Sequence, residues 1–218
     1  MRKKLIIQFR NPVSGLTHFF SAIAALLGLF FLIYAARGNR YKEIWLVIYG
    51  VSLIFMFSAS AAYHLVQSEK KVIHWLRIVD HSAIYILIAG TYTPLCFYYF
   101  TGFWRWGLML IIWIMAFSGV IINFFAVSAP RWITAGIYLI MGWFSILAIR
   151  EMVRTMPTGA IVWLITGGVL FTIGAVIYML KKPDPWPNRF GFHEIWHIFV
   201  ILGCLAHFIM IALYVAIR

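Results

Sequence analysis

Apolar residues gather along this chain in runs close to the length that crosses a bilayer, and short polar breaks separate them. The pattern predicts seven helices, at about 14–36, 44–66, 78–100, 106–126, 132–149, 159–180 and 192–217. The breaks are "RGNRYKE" at 37–43, "QSEKKVIHWLR" at 67–77, "SAPRW" at 128–132, "REMVRTMPTG" at 150–159 and "KKPDPWPNRFGF" at 181–192. The last holds three of the seven prolines and cannot be helical throughout. No break is long enough to separate two domains, so residues 1–218 are expected to form one all-α seven-helix membrane bundle. No internal repeat is visible, and an odd number of spans argues against the inverted-repeat transporter plan.

Composition agrees with the pattern. Of 218 residues, 64% are hydrophobic and 11% charged, where a soluble domain carries about 25% charged residues. A net charge of +12 raises nucleic acid as a partner. The cations, however, sit in short breaks and at the ends of apolar runs, where membrane lipids are the better partner. No nucleic acid is expected. Cys96 and Cys204 both lie inside apolar runs, which excludes a disulfide framework as an organising device.

"MRKKLIIQFR" has the charge of a signal-peptide start, but the apolar run after it is about twice the usual length and is kept as the first span. With it, Arg2, Lys3, Lys4, Arg10, Lys70, Lys71, Arg77, Arg131, Lys181, Lys182 and Arg189 share the N-terminal side. Arg37, Arg40, Lys42, Arg105, Arg150, Arg154 and Arg218 lie on the other. Eleven against seven predicts a cytoplasmic N-terminus and an extracytoplasmic C-terminus. That is the reverse of the G-protein-coupled receptor arrangement. No lysine falls within a predicted span, which excludes a retinal Schiff base.

Ionisable residues inside spans are costly, so their few positions carry information. The second span ends "FMFSASAAYHLV", with Ser60 and His64 four apart on one face. The third opens "RIVDHSAIY", with Asp80 in its first turn, and the seventh opens "FHEIWH", with His193 and His197 four apart. Alternating span direction brings all of these to one side at similar depth. Three imidazoles and one water make an open zinc site that lowers the water's pKa toward about 7. Asp80 is then placed to deprotonate that water, and Ser60 to bond it or a developing oxyanion. Zinc suits an imidazole-rich set better than other divalent metals.

Each residue also has a plain reading. His64, Asp80 and Glu194 lie where a helix dipole favours their charge, and Ser60 lies in a run of small packing residues. His18 and His81 share the side and stand open as the third ligand, although Ser60 shares a face with His64. His74 falls in a break beside two lysines and is expected to be solvated. His207, ten residues past His197, is about 15 Å deeper and is expected to bond a neighbouring helix. Gly90 and Pro94 predict a kink in the third helix, with Thr91 or Thr93 satisfying freed carbonyls. Asn123, Thr166 and Thr172 are expected to bond between helices, and Trp104, Trp106, Trp132 and Trp186 to form an interfacial belt.

His193-Glu194-Ile195-Trp196-His197 also matches H-E-x-x-H, in which the glutamate is a metalloprotease's general base. Taken with "FSASAAYH" at 57–64 and "DHSAIYILIAGTYTP" at 80–94, however, "FHEIWH" at 192–197 resembles the hemolysin III family. This is the bacterial branch of the progestin and adipoQ receptor (PAQR) family, which is similar to alkaline ceramidases. The resemblance spans all seven predicted helices and implies a bundle in the bacterial cell membrane with its N-terminus inside. It also implies zinc held by His64, His193 and His197, with Asp80 and Ser60 at the water it binds. Protein-hormone reception is not expected, because the chain lacks the long N-terminal extension of the animal receptors. The leading expectation is therefore a zinc-dependent hydrolase of a lipid amide or ester, ceramide-like by analogy alone. The competing readings are a non-enzymatic sensor or homeostasis protein with structural zinc, a cytolytic pore, and an intramembrane protease. No charge near mid-bilayer lines a channel, which disfavours the pore.

Overall fold

The computed structural model describes residues 9–187 and 190–217. Arg2, Lys3, Lys4, Arg189 and Arg218, which entered the charge count, lie outside the described residues. Seven helices are long and apolar enough to cross a membrane: α1 Pro12–Ala35, α2 Arg40–Leu65, α3 Lys70–Tyr99, α4 Gly102–Ala126, α5 Arg131–Thr155, α6 Thr158–Leu180 and α7 Phe192–Ala216. Among the described residues there is no strand, and one isolated bridge joins Trp186 to Phe190.

The expected spans are all present, and two are longer than the apolar pattern suggests. α3 begins at Lys70, so most of "QSEKKVIHWLR" is helix instead of loop. α5 runs on to Thr155 through "REMVRT". Hydropathy marks the part of a helix that meets hydrocarbon, whereas polar turns continue it into the headgroup layer at no cost in backbone hydrogen bonds. α5 is also interrupted: Phe144–Ala148 forms a 3-10 segment between two α-helical pieces. Tyr92 of α3 holds the break, its hydroxyl accepting from the Ser145 amide at 2.8 Å and donating to the Gly142 carbonyl at 2.8 Å. α7 ends in a single π-helical segment, Ala212–Ala216.

Sequential helices pack against one another from α1 to α4, α6 packs on α7, and α1 meets α7 to close the bundle. α5 leans on α6 and touches α3 more lightly. Small residues set the close approaches, as membrane packing requires. A Cβ at Gly90 would stand 2.1 Å from the Ser52 hydroxyl, so only glycine lets α3 lie this near α2. At Gly15 it would stand 2.4 Å from Leu65 and 3.3 Å from the His64 Cβ, which fixes the start of α1 beside the end of α2.

Buried polar groups behave largely as expected. Asn123 of α4 donates to the Ile78 carbonyl and the Ser82 hydroxyl of α3, each at 2.9 Å. Thr172 of α6 accepts from the Trp143 indole at 2.9 Å. Thr166 differs: its hydroxyl donates to Val162 in its own helix and faces outward. Near Pro94, Thr93 and Thr91 donate to the carbonyls of Ala89 and Leu87. Neither reaches Gly90, whose carbonyl the proline leaves without its usual partner.

Candidate metal centre

The end of α2 and the starts of α3 and α7 lie together at one end of the bundle. The i, i+4 spacing of α7 puts His193 and His197 on one face, and that face meets His64 at the last turn of α2. Nε2 of His193 is 3.4 Å from Nε2 of His64 and 3.2 Å from Nε2 of His197. The three ligand atoms all lie within 4.8 Å of one another.

Hydrogen bonding does not account for this cluster. A neutral imidazole nitrogen is either donor or acceptor, so Nε2 of His193 cannot serve both neighbours properly. Charging the rings would place like charges together in an apolar setting. A tetrahedral zinc with Zn–N near 2.0–2.1 Å requires N···N edges of about 3.3–3.4 Å. The two short edges here are close to that and the third pair lies within 4.8 Å, so the three imidazoles can hold a metal ion once one ring turns inward. His64 and His197 are buried, at 2% and 3% exposure, and His193 is partly buried.

The far side of each ring bears on this too. His64 Nδ1 is 3.3 Å from the Asn11 side-chain amide, and the Asn11 backbone N–H donates to the His64 carbonyl at 2.9 Å. The group facing the ring is the amide nitrogen Nδ2; only with the amide turned by 180° does Asn11 accept Nδ1–H and leave Nε2 unprotonated for a metal. His197 Nδ1 is buried without a hydrogen-bond partner among the described residues. Neither Asn11 nor Ser14 stands out from its spacing in the sequence. The signal available was "NPVS", an asparagine before a proline that opens a helix.

Glu194 has other work. One carboxylate oxygen accepts the Gly191 N–H at 2.9 Å and so caps α7; the other accepts the Ser14 hydroxyl at 2.9 Å and ties α7 to α1. Both oxygens are occupied in the frame of the site. This is not the free base of a metalloprotease helix.

Asp80, 8% exposed, and Ser60, 3% exposed, face each other across the cavity wall, the serine hydroxyl directed at the carboxyl. Both line a cavity of about 240 Å³ together with all three histidines. His18 and His81, the other candidates for third ligand, line it as well. His18 stacks on His197 with ring centroids 4.0 Å apart, but it falls outside the group whose ligand atoms converge. His81 offers its backbone carbonyl to Tyr138 at 2.9 Å. From this polar end the cavity runs inward between α2, α3, α5, α6 and α7 past Leu53, Met56, Ile88 and Val200, reaching Cys204 and His207. His207 is bonded to the Leu164 carbonyl at 3.2 Å, across helices as expected, and Cys96 and Cys204 are buried free thiols.

A bundle of seven apolar helices with a histidine cluster at one end of an apolar cavity defines a class: a multi-pass α-helical membrane protein with the means to hold a metal. Within that class the chain belongs to the haemolysin-III-related family, whose model matches residues 7–208. It is 33% identical over 203 residues to a Hemolysin-3 homolog of Bacillus subtilis (strain 168), covering 92% of each chain. It is 35% identical over 206 residues to Hemolysin-3 of Bacillus cereus, covering 93% of this chain and 90% of that one. A human relative, Monocyte to macrophage differentiation factor, is 27% identical over 204 residues, covering 92% of this chain and 82% of its own.

Proposed function

We propose that this protein is a zinc-dependent hydrolase of the bacterial cell membrane, cleaving a lipid amide or ester. The observation that carries the reading is a carboxyl and a hydroxyl, Asp80 and Ser60, lining one largely apolar cavity of about 240 Å³ together with three convergent imidazoles. A metal that only braced helices would need no carboxyl group set beside it in a cavity.

When bound by Nε2 of His64, His193 and His197, zinc supplies a Lewis acid and brings the pKa of a water toward about 7. The apolar walls hold the acyl chain and exclude bulk water, leaving the carbonyl at the histidine end. An Asp80 carboxylate oxygen takes a proton from the attacking water as the new C–O bond forms. The same oxygen returns that proton to the nitrogen or oxygen that leaves when the amide or ester bond breaks. Ser60 donates to the carbonyl oxygen as charge builds there. Asn11 keeps the His64 ring in one orientation throughout. Substrate enters sideways between helices, from the inner leaflet if the N-terminus is cytoplasmic.

The test pairs metal content with turnover in purified wild type and Asp80→Asn. Each is expected to carry one zinc per chain, and the variant to release fatty acid from short-chain ceramide and ester probes about 10²–10⁴-fold more slowly. Equal rates in the two proteins, or no zinc in wild type purified without chelators, would overturn the reading.

A further inference from the structure

Cations at a membrane edge ordinarily reach out to water and headgroups. Three at the histidine end do not. Arg10 lies over the Tyr63 ring, 4.1 Å from its centroid, and donates to the Tyr63 carbonyl. Arg131 lies over two rings at once, Tyr178 at 5.0 Å and Phe192 at 5.1 Å. Nε of Arg10 and Nη1 of Arg131 are both buried and without a partner among the described residues. Arg77 sits one turn before Asp80 on the same face of α3 and is partly buried.

Two of these arginines flank the candidate metal centre, each behind an aromatic ring, and none of the three lines the cavity wall itself. The Tyr63 ring is 4.8 Å from His64, and the Tyr178 ring is 5.8 Å from His193, so one aromatic ring separates Arg10 and Arg131 from a ligand histidine. Arg10 and Arg77 are within electrostatic reach of Asp80, and Arg131 and Arg10 within reach of His193.

Their charge is not neutralised. The one ion pair among the described residues joins Arg154 to Glu151, in the last turns of α5, at the far end. Glu194 and Asp184 keep their charge but bond to Ser14, Gly191 and Phe192 and form no ion pair with these arginines. The three guanidinium groups thus have no carboxylate in direct contact among the described residues, and a divalent metal would add positive charge. Guanidinium groups fixed by aromatic stacking, with N–H groups still to satisfy, are suited to a phosphate, which accepts bidentate bonds.

We infer that Arg10, Arg77 and Arg131 form a collar at the mouth of the cavity that binds the phosphate of a phospholipid headgroup while its acyl chain occupies the cavity. The inference rests on the hydrolase reading only in making that phospholipid the substrate; the collar itself needs no turnover.

Native mass spectrometry of the purified full chain tests it, with phosphatidylglycerol, phosphatidylcholine, diacylglycerol of the same tails, or inorganic phosphate added. Both phospholipids are expected to bind in preference to diacylglycerol. The combined variant Arg10→Gln, Arg77→Gln, Arg131→Gln is expected to weaken phospholipid binding about tenfold or more and leave diacylglycerol unchanged. A control variant removes as much charge from the opposite end, as Arg37→Gln, Arg40→Gln, Arg150→Gln, and is expected to bind like wild type. Equal losses in the two variants would reduce the collar to ordinary interfacial attraction and overturn the inference. So would a wild type that binds diacylglycerol as well as phospholipid. Binding of inorganic phosphate with no preference among the lipids would assign the collar to the free anion and overturn the lipid assignment. Should the combined variant not fold, Arg77→Gln alone, which breaks no ring contact, is expected to weaken phospholipid binding about threefold or more; no change would overturn the inference. Binding without hydrolysis of the bound phospholipid would remove it as the substrate and leave the collar standing, whereas loss of turnover on every probe would sink the hydrolase reading alone.

Discussion

Two sets of buried histidines occupy α7 and its neighbours, and they solve the problem of an imidazole in a membrane differently. His207, deep in the bundle, bonds the Leu164 carbonyl and fills space against Gly167, where a Cβ would stand 2.3 Å from its ring. Its polarity is answered by backbone. His64, His193 and His197 instead turn Nε2 toward one another and leave the pairing incomplete. A buried polar group answered by the fold is structural, and one answered by nothing in the fold points to a ligand. The contrast can be tested at each of its terms.

The largest effect is expected at the cluster. His193→Ala removes the ring shared by both short contacts, so the chain should lose its zinc, with affinity falling by at least about 100-fold. Zinc per chain, measured by inductively coupled plasma mass spectrometry, decides this. Full retention would mean that His18 or His81 completes the set in its place. Next is Asn11→Ala, which leaves every ligand present but frees the His64 ring. Zinc affinity is expected to fall about 10- to 100-fold with folding intact. Competition against a graded chelator measures it, and an unchanged constant would reduce Asn11 to a helix start.

At the other pole, His207→Ala should leave zinc binding untouched while lowering stability by about 1–2 kcal/mol, from one lost interhelical bond and a small void. Thermal unfolding in detergent, followed beside zinc content, separates the two quantities. If zinc is lost in step with His193→Ala, the division between structural and ligand histidines fails.

How much of this was legible beforehand follows from where each geometry originates. Within one helix the 3.6-residue turn fixes which side chains share a face, so His193 with His197, and Ser60 with His64, could be read from spacing alone. Alternating span direction put Asp80 at the same end. The choice of His64 over His18 and His81 needs the rotation of α2 against α1 and α3, which spacing does not encode; Ser60 on the same face favours His64, and the resemblance strengthens it. The Asn11–His64 bond and the arginine collar were hidden for the same reason, since each joins residues from different helices. The 3-10 break in α5 was hidden too. No proline marks it, and the hydroxyl that holds it belongs to Tyr92 on another helix. Helix ends were misjudged at Lys70 and Thr155 because hydropathy reports the hydrocarbon, and the helices outlast it.

The smallest effect belongs to the residue that a motif search would rank first. In a metalloprotease helix the glutamate between the two histidines takes the proton from water, and replacing it by glutamine should cost about 10²–10⁴ in rate. Here both Glu194 oxygens are engaged, on the Gly191 amide and the Ser14 hydroxyl, and Asp80 stands at the cavity with the histidines. Glutamine keeps one acceptor oxygen and the shape of the side chain. Glu194→Gln should therefore weaken one bond at the start of α7 and lower stability by about 0.5–1 kcal/mol. Zinc content should be unchanged, and any turnover should stay within about threefold of wild type. The decisive comparison is Glu194→Gln against Asp80→Asn in one assay. If the glutamine variant is dead and the asparagine variant active, Glu194 must leave its cap during the reaction, and the proton-transfer role moves from α3 to α7.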